Sequence, residues 1–398
     1  MSTQPKDTSI AIIGGSLVGP AAELFLRRRG FADIVTYEAL PAALSQSGGV
    51  MGLRQDTIDL LAELGVDVGA IEAIRDRNVY AYDLTGDGAV QRGVSAFPGV
   101  VTSWDALHAQ LRRLVDVRTS HRLVAMDEVN GRWRLRFGNR PDAFADVVLF
   151  ADGRHSTGRA LLDPGRPLRY NGYVVWRGLA DPPQPLPQGF ERYYDIRHGR
   201  LFSVTAPLRQ SGRSYWELSH NLPEQAYARI AGAAPTERAF ILPQHIDSYA
   251  RDIIRDAARN LPDTFTALIE ASEVVGIPVN DATMPERAVF TGSGGNGSGD
   301  AVAVLLGDAL LPVRLQVGAG LNQGLRQAAE VADALAAPDR GARLRGWQQH
   351  TLDRLARWVE QGRSRAHRNN LGTYEPVRPG RTTAPNVDQW SEPRWVSA

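Results

Sequence analysis

Between Ser9 and Glu38 the sequence runs strand, glycine turn, helix, strand, acid, an order that few folds accommodate. Ser9-Ile10-Ala11-Ile12-Ile13 is a short apolar run, as a strand buried on both faces requires. It passes directly into Gly14-Gly15-Ser16-Leu17-Val18-Gly19. A helix is predicted from Pro20 to Arg29, with Ala21, Ala22, Leu24, Phe25 and Leu26 as apolar positions and Gly30 as its stop. A second strand, Asp33 to Tyr37, ends at Glu38, 19 positions after Gly19. This is the setting of a dinucleotide-binding turn. Gly14 permits the tight turn, and its neighbour Gly15 belongs to the same cradle. A small residue at Ser16 lets the backbone approach a pyrophosphate. Gly19 lets helix and strand pack closely, and the free N–H groups of the helix start favour an anion. Glu38 is placed for ribose hydroxyls. A purely structural turn is the alternative, since Ser16 replaces the middle glycine of G-x-G-x-x-G. The pattern alone does not separate FAD from NAD.

Two later segments repeat the theme. Val147 to Phe150 is an apolar strand followed by Ala151-Asp152-Gly153-Arg154-His155-Ser156-Thr157-Gly158-Arg159, spaced Asp-Gly-x-x-Ser-x-x-Arg. Val302 to Leu306 is another, followed by Gly307-Asp308-Ala309 and then by Gly318-Ala319-Gly320-Leu321-Asn322. A long helix is predicted from Gln323 to Ala336. Here a strand delivers an aspartate to a ligand, and a glycine turn with a helix N-terminus offers N–H groups to an anion.

In this order the three segments resemble the FAD-dependent aromatic hydroxylases of the p-hydroxybenzoate hydroxylase type, over about residues 9 to 365. Within that family the chain is most similar to the 2,6-dihydroxypyridine 3-hydroxylases, through Gly14-Gly15-Ser16, Thr102-Ser103-Trp104-Asp105, Tyr170 to Gly178 and Pro312-Val313-Arg314. The resemblance implies an α/β fold: a Rossmann-like FAD-binding domain with an inserted antiparallel-sheet substrate domain. Gly14, Gly15, Ser16 and Gly19 would hold the FAD pyrophosphate and Glu38 the adenosine ribose. Asp152 and Gly153 belong to a motif shared between FAD and the reduced nicotinamide. Asp308 would bind the ribityl or pyrophosphate part, and Gly318, Gly320, Leu321 and Asn322 would lie against the flavin ring. The implied activity is hydroxylation of a small aromatic or N-heteroaromatic ring, dihydroxypyridine-like, with NADH or NADPH and O2, through a flavin hydroperoxide. A tailoring hydroxylase or epoxidase of a larger natural product, and a non-catalytic flavin-binding protein, are the alternatives. The chain departs from the family at Ala39 and Trp104, where arginines often help anchor FAD. It departs again at Leu311 and Leu315, in a stretch that usually holds a proline near the reacting flavin edge.

Composition excludes other chemistries. The 398 residues include no cysteine, so thiolate catalysis, disulfides and cysteine-ligated metals are out, and the single lysine, Lys6, removes a Schiff-base mechanism from the body of the chain. The net charge of +1 argues against a general nucleic-acid partner. No apolar run approaches the roughly 20 residues of a membrane span, so a cytoplasmic protein, monomer or homodimer, is expected. The eight histidines show no close pair suited to a metal.

The expected FAD domain is discontinuous: 1–75, 98–164 and 286–365. The substrate domain takes 76–97 and 165–285, and 366–398 forms an extended tail. Asn78 to Arg92 is predicted as a hairpin turning at Thr85-Gly86-Asp87-Gly88. The loop Gln46 to Gly52 is expected near the flavin, and Gly292 to Gly299 as a flexible hairpin tip. In the substrate domain, Tyr170–Leu179, Arg192–Ile196, Leu201–Ala206 and Ser214–Ser219 are strand-like. Alternation puts Ser214, Trp216 and Leu218 on one face and Tyr215, Glu217 and Ser219 on the other. The Trp216 face is expected at the pocket, with Trp216 stacking on a flat substrate and Thr205 and Trp176 as further substrate contacts. His220, just beyond the strand, is the candidate base for a ring hydroxyl. Arg314 is the basic group expected beside the flavin ring.

Overall fold

The computed structural model describes residues 7–41, 49–86, 88–238, 240–292, 301–378, 380–383 and 390–397. Residues 46–48 of the Gln46–Gly52 loop, Asp87 of the predicted hairpin turn and nearly all of Gly292–Gly299 lie outside the described residues.

Two large sheets carry the architecture. The first runs, in spatial order, Val289–Thr291, Val302–Leu305, Val147–Phe150, Ile10–Ile13, Ile34–Tyr37, Val117–Arg118. All neighbours are parallel except the edge strand Val289–Thr291. Its central strands are apolar at every position because both faces are covered. The helices Val18–Arg28 and Gly320–Ala336 pack together against it. The first starts two residues earlier than predicted. The second starts at Gly320, not Gln323, so Gly320–Asn322 form its first turn.

The second sheet has seven strands, ordered Val275–Asp281, Arg169–Ala180, Ser214–Asn221, Arg200–Thr205, Phe190–Asp195, Asn78–Thr85, Gly88–Ala96. The upstream hairpin thus hydrogen-bonds into the sheet built by residues 169–281. It does so in parallel, Asn78–Thr85 beside Phe190–Asp195, so the sheet is not antiparallel throughout.

One face of this sheet is uniformly apolar. Val174, Trp176, Phe202, Val204, Trp216 and Leu218 are buried beneath the helices Glu224–Ala231, Ser248–Ala258 and Asp263–Glu270. The first of these helices was not foreseen. Each buried indole removes roughly 200 Å² from water, on the order of 5 kcal/mol gross. Gly276 makes room for one of them, since a Cβ there would stand 2.5 Å from the Trp176 ring.

The other face turns toward the parallel-sheet domain. At one level Tyr173, Val175 and Leu201 pack with Ala366 and Leu371. At another, Leu179, Phe190 and Tyr215 pack with Val50, Phe97 and Val101. The long helix Arg340–Arg368 runs three residues into the stretch expected as tail, and the tail beyond it is not simply extended. Arg381–Thr383 pairs with Trp395–Ser397, and Trp390 meets Phe97 edge-on at 4.9 Å. No helix among the described residues is long and apolar enough to cross a membrane.

Candidate active site

The three sequence segments converge on one edge. Ile13 is in register with Tyr37 and Phe150, and Phe150 with Leu305, so their strands end together. Gly14, Glu38, Asp152 and Asp308 follow those four neighbouring strands at their carboxyl ends, where open parallel sheets bind ligands. Gly14 has φ +115°, and a Cβ at Gly19 would stand 1.8 Å from the Gly14 carbonyl oxygen, so only glycine permits this turn. Glu38 accepts hydrogen bonds from Gly15 N at 2.8 Å and Leu40 N at 2.9 Å. Ser16 accepts from Trp104 Nε1 at 3.2 Å, and Trp104 stacks on His108 at 4.2 Å. Two departures from the family pattern, Ser16 and Trp104, are therefore partners.

The spacing Asp-Gly-x-x-Ser-x-x-Arg has a mechanical explanation. Asp152 accepts from Ser156 Oγ at 2.6 Å and Gly158 N at 3.1 Å, while Ser156 Oγ caps the helix Thr157–Leu162 through Arg159 N. Gly153 takes φ +74° in the turn. Buried Arg159 then donates to the carbonyl oxygens of Asp308 and Ala309, both at 3.0 Å. One motif thus fixes the other. Asp308 itself is exposed, yet protein surrounds its carboxyl. Desolvation pushes its carboxyl above the usual range, against the pull of Arg154 and Arg159.

At the other side of the cleft Gly318 takes φ +59° and the helix Gly320–Ala336 begins. The first-turn N–H groups and the helix dipole favour negative charge there. Leu321 packs partly buried against the main core. The Asn322 side chain donates to the carbonyls of Gly52 and Gly318 and accepts from Arg54 N, all at 2.9 Å. It clamps this turn to the strand Val50–Arg54, leaving its backbone rather than its amide for a cofactor. The donor set suits FAD: a glycine cradle that a Cβ would fill, a ribose-side acid, and a helix N-terminus.

Arg314 must be reassigned. Its guanidinium is 2% exposed and is held by Asp281 at 2.7 Å, Asn171 Oδ1 at 2.7 Å and the Thr373 carbonyl at 3.0 Å. Arg363 also bonds Asp281, at 3.1 Å. The network joins the seven-stranded sheet, the turn before Gly318 and the long helix. Arg314 braces that turn, and its guanidinium lies over the Tyr173 ring at 6.0 Å.

The substrate-face expectation is overturned. Trp216 belongs to the helix-covered face, fully buried, donating to Ser272 Oγ at 2.7 Å. Trp176 lies on the same face and donates to His220 Nε2 at 2.7 Å. His220 lies within the strand Ser214–Asn221, is buried, and its pKa is pushed down to about 4 by desolvation. None of the three faces the cleft, so His220 is not a base for a substrate there. Thr205 is on the cleft-facing side, but it is buried and its hydroxyl accepts from Tyr215 N at 3.0 Å.

What the cleft receives instead is a row across four strands. Register aligns Arg177 with Glu217, Glu217 with Ser203, and Ser203 with Arg192. The row lies between the two apolar clusters of the inner face. Arg177 approaches Gly49 of the preceding loop so closely that a Cβ there would meet its Nη1 at 2.7 Å. Arg177 and Arg154 both lie over Phe240, at 5.8 and 5.4 Å, which connects the row to the Asp-Gly motif. The signal was in the sequence: a face carrying Trp176, Phe202, Val204, Trp216 and Leu218 is continuously apolar and needs helices over it. A separate groove of about 700 Å³ between the last two long helices is lined by charges that pair with one another, among them Arg354–Glu330 and Arg357–Glu392. It lacks the strand-end constellation.

No family model matches the chain. It is 24% identical to 2,6-dihydroxypyridine 3-monooxygenase of Paenarthrobacter nicotinovorans, over 97% of this chain and 98% of that protein. It is 26% identical to 3-amino-4-hydroxybenzoate 2-monooxygenase PtnB3 of Streptomyces platensis, over 97% and 95%. The solved 2,6-dihydroxypyridine-3-hydroxylase of Arthrobacter nicotinovorans superposes with a TM-score of 0.78 at 23% identity, covering 94% of this chain and 95% of that one. HpxO of Klebsiella pneumoniae, complexed with FAD and uric acid, gives 0.72 at 20% identity, over 91% and 88%. The fold is that of the FAD-dependent hydroxylases. Along nearly its whole length the chain is similar to proteins named as aromatic monooxygenases.

Proposed function

We propose that the protein binds FAD and uses NADH or NADPH and O2 to hydroxylate a small aromatic or N-heteroaromatic ring of dihydroxypyridine size. The single observation that carries this reading is the alignment of Gly14, Glu38, Asp152 and Asp308 along one strand edge, with the polar row Arg177–Glu217–Ser203–Arg192 on the sheet that faces their domain. The coverage of the relatives supports it, since both domains match along their length.

Bound FAD supplies the centre that takes electrons from the nicotinamide and passes them to oxygen. The chain supplies the rest. Gly14, Gly15, Ser16 and Gly19 would hold the pyrophosphate, Glu38 the adenosine ribose and Asp308 the ribityl or pyrophosphate part. The N–H groups opening at Gly318 stabilise negative charge on the cofactor's pyrimidine side. Arg177, Glu217, Ser203 and Arg192 orient the substrate, and the apolar clusters above and below them limit water. Asp152 and Gly153 would form a turn shared by the cofactor and the reduced nicotinamide.

The test is NAD(P)H consumption by the FAD-loaded protein across dihydroxypyridines, hydroxybenzoates and larger phenolics. Stimulation of at least tenfold by a monocyclic compound, with a product one oxygen heavier, is expected. Stimulation only by a multi-ring phenolic would move the assignment to a larger natural product. FAD binding without reduction by either nicotinamide would make the protein a flavin-binding module.

A further inference from the structure

We propose that Trp104 is a positioning residue for FAD: its indole N–H fixes the Ser16 hydroxyl so that the hydroxyl proton is directed at the cofactor's pyrophosphate. This rests on the reading that the chain binds FAD, and it assigns a grip on that group to two side chains particular to this turn.

The first argument is the direction of one hydrogen bond. Trp104 Nε1 donates to Ser16 Oγ at 3.2 Å, across 88 positions of sequence. An indole nitrogen can only donate, so Ser16 must accept, and its single hydroxyl proton is left for another partner. Ser16 is exposed between Gly14 and Gly19, and among the described residues its hydroxyl donates to no acceptor. An anion at the turn completes the series, indole to hydroxyl to phosphate oxygen. A hydroxyl that already accepts from an N–H is polarised to donate, and donation to a charged oxygen is the strong kind.

The second argument is need. Two of the turn's backbone donors are already engaged. Gly14 N bonds the Tyr37 carbonyl at 2.8 Å, and Gly15 N bonds Glu38 Oε2 at 2.8 Å. A side-chain donor at Ser16 supplies at the same turn what those two N–H groups do not.

The third argument is rigidity. Trp104 opens the helix Trp104–Leu114, which Ser103 Oγ caps by accepting from Ala106 N at 3.2 Å. Trp104 N donates to the Gly49 carbonyl at 3.0 Å. The indole lies flat on the His108 imidazole, with centroids 4.2 Å apart and planes 17° apart, at the i,i+4 spacing that puts two side chains on one helix face. Burial and Arg112 hold His108 below its ordinary pKa, against the pull of Asp105, Glu38 and the Gly15 backbone, so a neutral ring backs the indole at pH 7. A donor fixed before its ligand arrives loses little freedom on binding. The bond itself is open to water and adds little to folding, so holding Ser16 is its main effect.

The experiment titrates the full-length, flavin-free protein with FAD and separates free FAD by ultrafiltration. Ser16→Ala removes the hydroxyl, and Trp104→Phe removes the N–H while keeping a ring on His108. Ser16→Ala is expected to raise the Kd about tenfold and Trp104→Phe about fivefold. The double variant should bind within about twofold of Ser16→Ala, because Trp104 acts through Ser16. The thermal midpoint of each flavin-free variant should stay within about 2 °C of wild type. Unchanged FAD affinity in Trp104→Phe overturns the proposal. So does a double variant about fifty times weaker, the product of two independent losses. A lowered midpoint that accounts for the weaker binding would make Trp104 a structural residue and overturns it as well. If the wild-type protein binds FAD and any of these outcomes is found, the cofactor reading stands and only the role of Trp104 falls. If the wild-type protein binds no FAD, both fall.

Discussion

Single residues decide the two ends of the site. Gly19 is irreplaceable for a reason of distance: its would-be Cβ overlaps the Gly14 carbonyl. Gly19→Ala must distort the pyrophosphate turn, and the purified variant should carry less than a tenth of the wild-type flavin, read by absorbance. His220 illustrates the opposite case, a residue whose chemistry suggested catalysis and whose surroundings give it a structural task. Its folded pKa of about 4 lies below the roughly 6.5 of an unfolded histidine. The unfolded chain therefore binds the extra proton between these values, and stability falls as pH drops from about 6.5 toward 4. The full contribution is on the order of 3 kcal/mol, at about 1.4 kcal/mol per pH unit. His220→Gln keeps an acceptor for Trp176 Nε1 but cannot titrate. Denaturation at pH 5 and 7 should show a smaller difference in the variant, while its kcat stays within twofold. A large loss of kcat with unchanged stability would return His220 to the pocket.

At the scale of elements, the legible and the illegible part company along the two sheets. The parallel sheet could be read because a strand buried on both faces is continuously apolar, and because each strand leads straight into its own motif. Ile10–Ile13, Val147–Phe150 and Val302–Leu305 each announce the residue that follows. The seven-stranded sheet announced its strands, except Val275–Asp281, but not its sides. Alternation separates Trp216 from Glu217 without saying which meets helices, and tertiary packing settles that. Arg314 failed for a related reason: sequence proximity to Gly318 places its backbone near the glycine turn, while its side chain follows Asp281, 33 positions upstream. For Asp281, burial alone would raise the carboxyl pKa, but the Arg314 bond and the charges of Arg314 and Arg363 outweigh it and hold it low. Stability from this pair is thus present at neutral pH and lost as pH falls through the carboxylate range. Asp281→Asn leaves two buried guanidiniums without their counter-ion, a cost of about 3 kcal/mol. The thermal midpoint should fall by several degrees and FAD should bind more weakly, because the braced turn opens onto the cofactor. Weakened FAD with unaltered stability would mean that Asp281 touches the cofactor directly.

The whole molecule is arranged so that chemistry occurs where two sheets face each other. One contributes strand ends and helix N-termini, the other a polar row framed by apolar clusters. The tail closes the frame from outside: Trp390 packs on Phe97, whose ring fills the space over Gly52. Trp390→Ala should leave substrate-dependent NAD(P)H oxidation intact but at least double the fraction of electrons lost to hydrogen peroxide, measured against product formed. No change in that ratio would make the tail a purely stabilising strap. The central claim is that this interdomain cleft inserts an oxygen atom from O2 into a small ring. Its most direct test is turnover under ¹⁸O2 with the best substrate of the panel, reading product mass. The account predicts a product heavier by one ¹⁸O atom, formed only when NAD(P)H is present. A product whose added oxygen comes from water, or one formed without reductant, would contradict it.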